Sequence, residues 1–343
     1  MKKKIVAGSY ERFVWAWDAD LATGELSQSF SRPSHLGPIK CAAGWGGDLV
    51  TGGSDDTIHI FDVAANRDVG VAEGHRASVT ALEFFGADAT GKASHLFSAS
   101  EDGTICVWDA GSWIHFKTMK GGNAGILDLS IHSSGKLAIS VERHGGFRMW
   151  NLLRGRCSFK TKVARQASLV SFLPEKEHSY AMACGSAVEI HNAEDGKVFQ
   201  TLDHDKPVLC MAPFHDELLC TGGEDCSVSV WDFRSGKTAH RIAAAHASRV
   251  KGVDRLGDSQ LLVSASSDGT VKVWDLRVVS QAEDDGKPVP LMQADTRARL
   301  TCVVGFSAGV GALTRDEEEE VVEMEQIKET DGKKQRKVKK QKV

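Results

Sequence analysis

Three times along the chain a histidine, a hydroxyl, an aspartate and a tryptophan recur in one order: His75, Ser98, Asp102 and Trp108; His204, Thr221, Asp225 and Trp231; His246, Ser264, Asp268 and Trp274. In each set the hydroxyl stands ten residues and the acid six residues before the tryptophan, with the histidine 27 to 33 before it. Serine, histidine and aspartate together could perform acyl transfer, the imidazole taking the proton of an attacking hydroxyl. Three copies at one spacing argue for a structural role instead. A buried imidazole, hydroxyl and indole must each find a hydrogen-bond partner or cost a few kcal/mol, and a shared network satisfies all of them. We expect no catalytic site.

Other residues capable of chemistry lack the spacing that chemistry needs. The eight cysteines, Cys41, Cys106, Cys157, Cys184, Cys210, Cys220, Cys226 and Cys302, form no CxxC pair and lie in apolar or alternating segments, so they read as reduced thiols. His215, Cys220 and Cys226 fall within one strand-turn-strand pattern without the paired spacing of a zinc site. Gly44-Trp45-Gly46-Gly47 and Gly121-Gly122-Asn123 lack the strand-to-helix context and the Lys-Ser/Thr of a phosphate cradle. No cofactor, metal or small-molecule substrate is expected.

The elements that must hold the four-residue sets are short strands. An alternating apolar strand ends on an aromatic and an acid or amide near Trp17, Phe61, Trp108, Trp150, His191, Trp231 and Trp274, at steps of 44, 47, 42, 41, 40 and 43 residues. A period near 40 marks a repeat architecture. The acid of each set lies in a tight turn, as in Ser100-Glu101-Asp102-Gly103-Thr104 and Ser266-Ser267-Asp268-Gly269-Thr270, where Asp-Gly separates two β-rich runs and signals a hairpin. With 343 residues, 41% hydrophobic and 26% charged, the chain can bury a large core. No apolar run reaches signal-peptide or membrane-span length, so neither secretion nor a membrane partner is expected.

The four residue types resemble the His, Ser/Thr, Asp, Trp tetrad of WD-repeat proteins, which implies an all-β, seven-bladed β-propeller serving as a binding platform. Other units are degenerate. Phe61 replaces tryptophan while Thr51 and Asp55 remain, His144 stands where an acid belongs before Trp150, and the unit ending at His191 has lost hydroxyl, acid and tryptophan together. That last blade must be held by packing. Residues 4–9 and 13–18 supply only a hairpin before the first Trp-Asp, so the apolar run at 299–306 is expected to complete the first blade and close the ring. The propeller is assigned to residues 1–314.

Residues 315–343 form an acidic and then basic tail, expected to be disordered because runs of like charge repel and bury nothing. Asp316 to Glu320 are followed by Lys333, Lys334, Arg336, Lys337, Lys339, Lys340 and Lys342. Such a basic block reads as a nuclear and nucleolar address, with contact to pre-rRNA phosphates as an addition. Residues 316–343 hold eight Lys/Arg and nine Asp/Glu, leaving 34 and 37 in residues 1–315. On that average the body looks neutral and suited to protein partners.

Several stretches go beyond the generic repeat, among them Gly37-Pro38-Ile39-Lys40-Cys41, Ser130-Ile131-His132-Ser133-Ser134-Gly135-Lys136, Met149-Trp150-Asn151-Leu152-Leu153-Arg154-Gly155-Arg156 and Ala298-Arg299-Leu300-Thr301-Cys302. They are similar to the WD-repeat family of p21-activated protein kinase-interacting protein 1, which includes the yeast maintenance-of-killer ribosome-assembly protein. The resemblance spans residues 4 to about 306 and implies two roles: nucleolar assembly of the large (60S) ribosomal subunit with pre-60S assembly proteins as partners, and negative regulation of p21-activated kinase. A third reading, a substrate receptor of a cullin-RING ubiquitin ligase, follows from Trp231-Asp232-Phe233-Arg234 and Trp274-Asp275-Leu276-Arg277, which resemble an adaptor-docking box. For any such platform the contacts lie in rim loops and exposed side chains, such as the loop 86–95 and Trp113, which alternatively covers a neighbouring blade.

Overall fold

A computed structural model of the protein describes residues 2–87, 91–173, 179–214, 217–257, 259–279 and 289–308. These residues form seven four-stranded antiparallel sheets, each a blade. The third blade shows how the sequence builds one: Val79–Ala87, Ala93–Ser100, Thr104–Asp109 and His115–Lys120 follow one another from the inside of the ring outward. The two middle strands are buried on both faces, hence their near-continuous Leu, Phe, Ile, Cys and Val. The outer strand buries only Met119 and half-buries Thr118.

The ring closes through its first blade. Leu300–Ala308 pairs with Lys2–Ser9, which pairs with Phe13–Asp20 and then Glu25–Pro33, so the two ends of the chain share the first blade. Sealing a propeller this way leaves only the innermost and outermost edges of each blade unpaired. Close approach to the closing strand demands a small residue at Gly252: a Cβ there would stand 2.7 Å from the Val303 backbone nitrogen.

Adjacent blades pack apolar faces against each other, and one cluster runs from Cys210 and Val230 in the sixth blade to Trp274 in the seventh. Polar links between inner strands add direction to this packing. Glu83 accepts the Ile131 N–H at 2.9 Å, Asp128 the Val170 N–H at 2.8 Å, Ser130 the Phe172 N–H at 3.1 Å and Asp254 the Gly305 N–H at 2.8 Å. Glu83, Ser130 and Asp254 each directly follow the residue paired with a repeat hydroxyl, as Leu82 pairs with Ser98, Leu129 with Ser140 and Val253 with Ser264. They are a second repeated feature, hidden because the residue type changes between copies.

Burial raises the three carboxyls, Glu83 to about 8, Asp128 to about 7 and Asp254 to about 6. The basic tail, Lys333 to Lys342 included, lies outside the described residues, as does His215. No helix among the described residues is long and apolar enough to cross a membrane.

Candidate functional site

In the seventh blade the four-residue set is assembled. The indole N–H of Trp274 donates to Ser264 Oγ at 2.8 Å, and Ser264 Oγ lies 2.7 Å from His246 Nε2. His246 Nδ1 faces Thr270 Oγ1 at 2.8 Å and the Asp268 carboxylate at 3.4 Å. An ionised carboxylate only accepts, so Nδ1 carries the imidazole proton and Nε2 takes the serine hydroxyl proton. Burial alone would raise the Asp268 carboxyl, but hydrogen bonds from His246, Thr270 and the Ala247 N–H hold it far below the usual carboxylate range. The third blade repeats the pattern: Trp108 to Ser98 at 2.8 Å, Ser98 to His75 at 2.7 Å, and His75 Nδ1 3.2 Å from Thr104 Oγ1 and 3.5 Å from Asp102.

The sixth blade departs from the expected tetrad. Trp231 donates to Thr221 at 3.0 Å and Thr221 meets His204 Nε2 at 2.9 Å, but His204 Nδ1 turns to the Leu202 carbonyl oxygen at 3.2 Å. Asp225 is bonded by the Ser227 hydroxyl and lies 3.4 Å from Arg241 Nη2, so it is not the partner of His204. Where the third and seventh blades place a threonine beside the acid, bridging it to the imidazole, the sixth has Ser227, whose hydroxyl bonds Asp225 without reaching the imidazole. An arginine on the outer strand also draws the acid away.

The second blade holds a network that sequence spacing missed. His35 Nδ1 lies 2.9 Å from Asp55 and its Nε2 2.9 Å from Thr51 Oγ1, with Phe61 in the indole's place. His35 stands 26 residues before Phe61, one short of the interval in the other sets. In the fourth blade Trp150 donates to Ser140 at 2.9 Å without a histidine, and the turn acid is replaced by His144 in a left-handed conformation (φ 65°). Behind that turn, buried Glu142 is hydrogen-bonded by Arg148.

None of these networks offers a nucleophile or base to a substrate. Ser98, Ser264 and Thr221 are buried at 0%, 0% and 1% exposure, with both hydroxyl neighbours fixed inside the sheet. His35, Asp55 and His59 lie close enough to be considered for a metal, yet both His35 nitrogens already serve Asp55 and Thr51. Burial raises the thiols of Cys184, Cys210 and Cys302 to about 11, 12 and 11, the reverse of what a reactive cysteine needs.

Candidate contact residues are correspondingly outside the networks. Trp113 is half-buried against Phe84 of its own blade, ring centroids 6.3 Å apart, and packs on the apolar cluster shared by the second and third blades. Arg277 is exposed, its guanidinium held by Asp275 at 2.9 and 2.7 Å, and Arg234 lies 3.7 Å from Glu217.

The repeats at residues 67–109, 196–232 and 237–275 match the family model described as WD domain, G-beta repeat. WD-repeat propellers are typically non-catalytic interaction scaffolds. Likeness extends well beyond those repeats. A Danio rerio protein, p21-activated protein kinase-interacting protein 1-like, is 30% identical over 94% of this chain and 86% of its own length. Shk1 kinase-binding protein 15 of Schizosaccharomyces pombe is 27% identical over 94% of this chain and 90% of its own. Protein MAK11 of Saccharomyces cerevisiae is 25% identical over 81% of this chain and 79% of its own.

Proposed function

Since the chain belongs to the family of p21-activated protein kinase-interacting protein 1-like WD-repeat proteins, we propose that it is a non-enzymatic scaffold of nucleolar ribosome biogenesis, acting in assembly of the large (60S) subunit. The observation that carries this reading is that likeness covers 94% of the chain for the Danio rerio relative and 81% for Protein MAK11, far more than the three repeats that match the WD model. The physical form agrees with a scaffold. Its histidines, hydroxyls and acids are spent on internal networks, so what it presents is a rigid perimeter with fixed side chains. Pre-60S assembly proteins are the partners of this reading, and Lys333 to Lys342 supply the nucleolar address and a contact to pre-rRNA.

Tagged protein with and without residues 333–343, imaged and run on a density gradient, tests it. The expected result is nucleolar signal and co-migration with large-subunit precursors, both weakened by the deletion. Diffuse protein absent from those fractions would overturn the assembly role. A second reading, binding of a p21-activated kinase, is favoured by the name of the Danio rerio relative, and the Schizosaccharomyces pombe relative is likewise named for binding a kinase, Shk1. Co-purification of a kinase that survives removal of the tail would support it.

A further inference from the structure

Averaged over the body, positive and negative charge nearly cancel, but the cancellation is not local. Residues 115–165 hold ten Lys/Arg against two Asp/Glu; Glu142 is buried and Asp128 is half-buried, its carboxylate taken by the Val170 N–H. Three of the ten cations meet acids: Arg143 with Glu101 at 2.8 Å, Arg148 with Glu142, and Arg165 with Glu189 at 3.8 Å. Six others, Lys117, Lys120, Arg154, Arg156, Lys160 and Lys162, are exposed with no carboxylate partner among the described residues. They lie on the outer strands of the third blade (His115–Lys120) and fourth blade (Arg156–Lys162) or in the turn between strands. The two strands adjoin at that turn, where Lys117 donates to the Arg154 carbonyl oxygen at 3.2 Å. Two aromatic rings stand among these cations, Phe116 at 73% and Phe159 at 53% exposure.

Lysine on an edge strand also guards against edge-to-edge pairing, but that role explains neither feature. Of the other five outer strands, Glu25–Pro33, Arg67–Glu73, Val198–Asp203 and Met292–Asp295 carry at least one acid, and in the remaining one, Lys237–Ile242, Arg241 is paired with Asp205 at 2.8 Å, so guarding an edge in this ring does not require unpaired charge of one sign. Nor does it call for phenylalanines in water. Uncompensated cations repel one another until a polyanion covers them, and exposed rings spaced among cations are what a single-stranded nucleic acid uses, phosphates on the ammonium and guanidinium groups and bases on the rings.

We propose that the outer edge of the third and fourth blades is a binding surface for single-stranded RNA. Phosphates meet Lys117, Arg156 and Lys160, and bases stack on Phe116 and Phe159. The surface is separate from the tail and can fail while the assembly role stands, since that role needs only protein contacts and localisation.

The test is fluorescence anisotropy of a labelled 20-nucleotide oligouridylate with the full chain in which the seven tail cations, Lys333 to Lys342, are changed to Gln. In that background Lys117→Glu, Arg156→Glu and Lys160→Glu together should weaken binding at least tenfold. They should also reduce the slope of log affinity against log salt by about 2, the counterion release of three phosphates. Phe116→Ser with Phe159→Ser should weaken binding about tenfold and leave the salt slope unchanged. Thermal unfolding of each variant checks that the ring is intact. Binding unaffected by the charge reversals, or weakened equally by reversing the ion-paired Arg67, Arg234 and Arg277, would overturn the proposal. So would poly-glutamate competing as well as RNA, because the site would then suit an acidic peptide.

Discussion

The seventh and fifth blades do the same mechanical work by different means. In the seventh, Trp274, Ser264 and His246 are 1%, 0% and 3% exposed and joined through hydrogen bonds to a turn carboxylate. In the fifth, register places Met182 where the hydroxyl belongs, and His191 replaces the indole. Its ring stacks on Tyr180 at 5.0 Å with the planes 3° apart, Tyr180 stacks in turn on Phe147 of the fourth blade, and His191 Nδ1 meets the Gly196 carbonyl oxygen at 3.1 Å. The turn differs too. Gly185-Ser186 is a two-residue connection where the seventh blade has Ser267-Asp268-Gly269, so the acid's position has been removed along with its partners. A polar network is therefore one solution for filling the sheet and not a condition of it, but each buried polar group that is kept must find a partner.

That asymmetry sets the largest expected effect. Ser264→Ala strands both the Trp274 indole N–H and His246 Nε2 in a dry interior, two unsatisfied groups at about 1–3 kcal/mol each. We expect a loss of about 2–5 kcal/mol, read from urea unfolding of the full chain. In the fifth blade Met182→Leu, an apolar exchange of similar volume with no partner to strand, should cost under about 1.5 kcal/mol. Equal losses would show that the network contributes no more than packing.

Stability against pH separates the two kinds of buried acid in the ring. Asp55, Asp102 and Asp268 have carboxyls lowered by hydrogen bonds despite burial, so their contribution is present above the unfolded value near 4 and is lost as pH falls through the folded value. Asp128 and Glu83 have the opposite sign. Raised to about 7 and about 8, they contribute fully below the unfolded value and lose that contribution as pH rises through the folded one. Asp268→Asn should flatten the acid limb of the melting curve. Asp128→Asn should instead stabilise the chain by about 1–3 kcal/mol at pH 8.5, with the advantage over the parent gone by pH 4. Hydrogen exchange under acid should open the second, third and seventh blades and leave the fifth unmoved.

The parts of this architecture legible in the sequence were those repeated in residue type. Seven aromatic positions about 40 residues apart gave seven blades, and the apolar run near Thr301 supplied the strand absent from the first. Networks were legible only where type and interval both held. His35 lay one residue outside the interval, and the Asp225 position was right while its hydrogen bond was not, because Ser227 and Arg241 bear on it and neither belongs to the repeat pattern. The inner-strand links were illegible since Glu83, Ser130 and Asp254 share a register but no residue type. The charged edge escaped for another reason: a whole-body balance of 34 cations and 37 anions conceals where they sit, and neither the burial of Glu142 nor the turning of Asp128 to the Val170 N–H can be read from composition.

The smallest expected effect lies between the two extremes, in the sixth blade. Trp231 is only partly buried, and its indole N–H reaches Thr221, which keeps its hydrogen bond to His204 when the indole is gone. Trp231→Phe removes one hydrogen bond and strands no donor, since Thr221 loses the bond it accepts and keeps the one it donates to His204 Nε2. The second blade shows the outcome in place: with Phe61 at 1% exposure, His35, Thr51 and Asp55 stay joined at 2.9 Å. We therefore expect Trp231→Phe to cost about 1 kcal/mol, measured by chemical unfolding, against about 2–3 kcal/mol for Trp274→Phe, whose indole is wholly buried and leaves a cavity. If the two substitutions cost the same, the grading of the blades from wired to packed is wrong, and tryptophan at this position acts through its bulk alone.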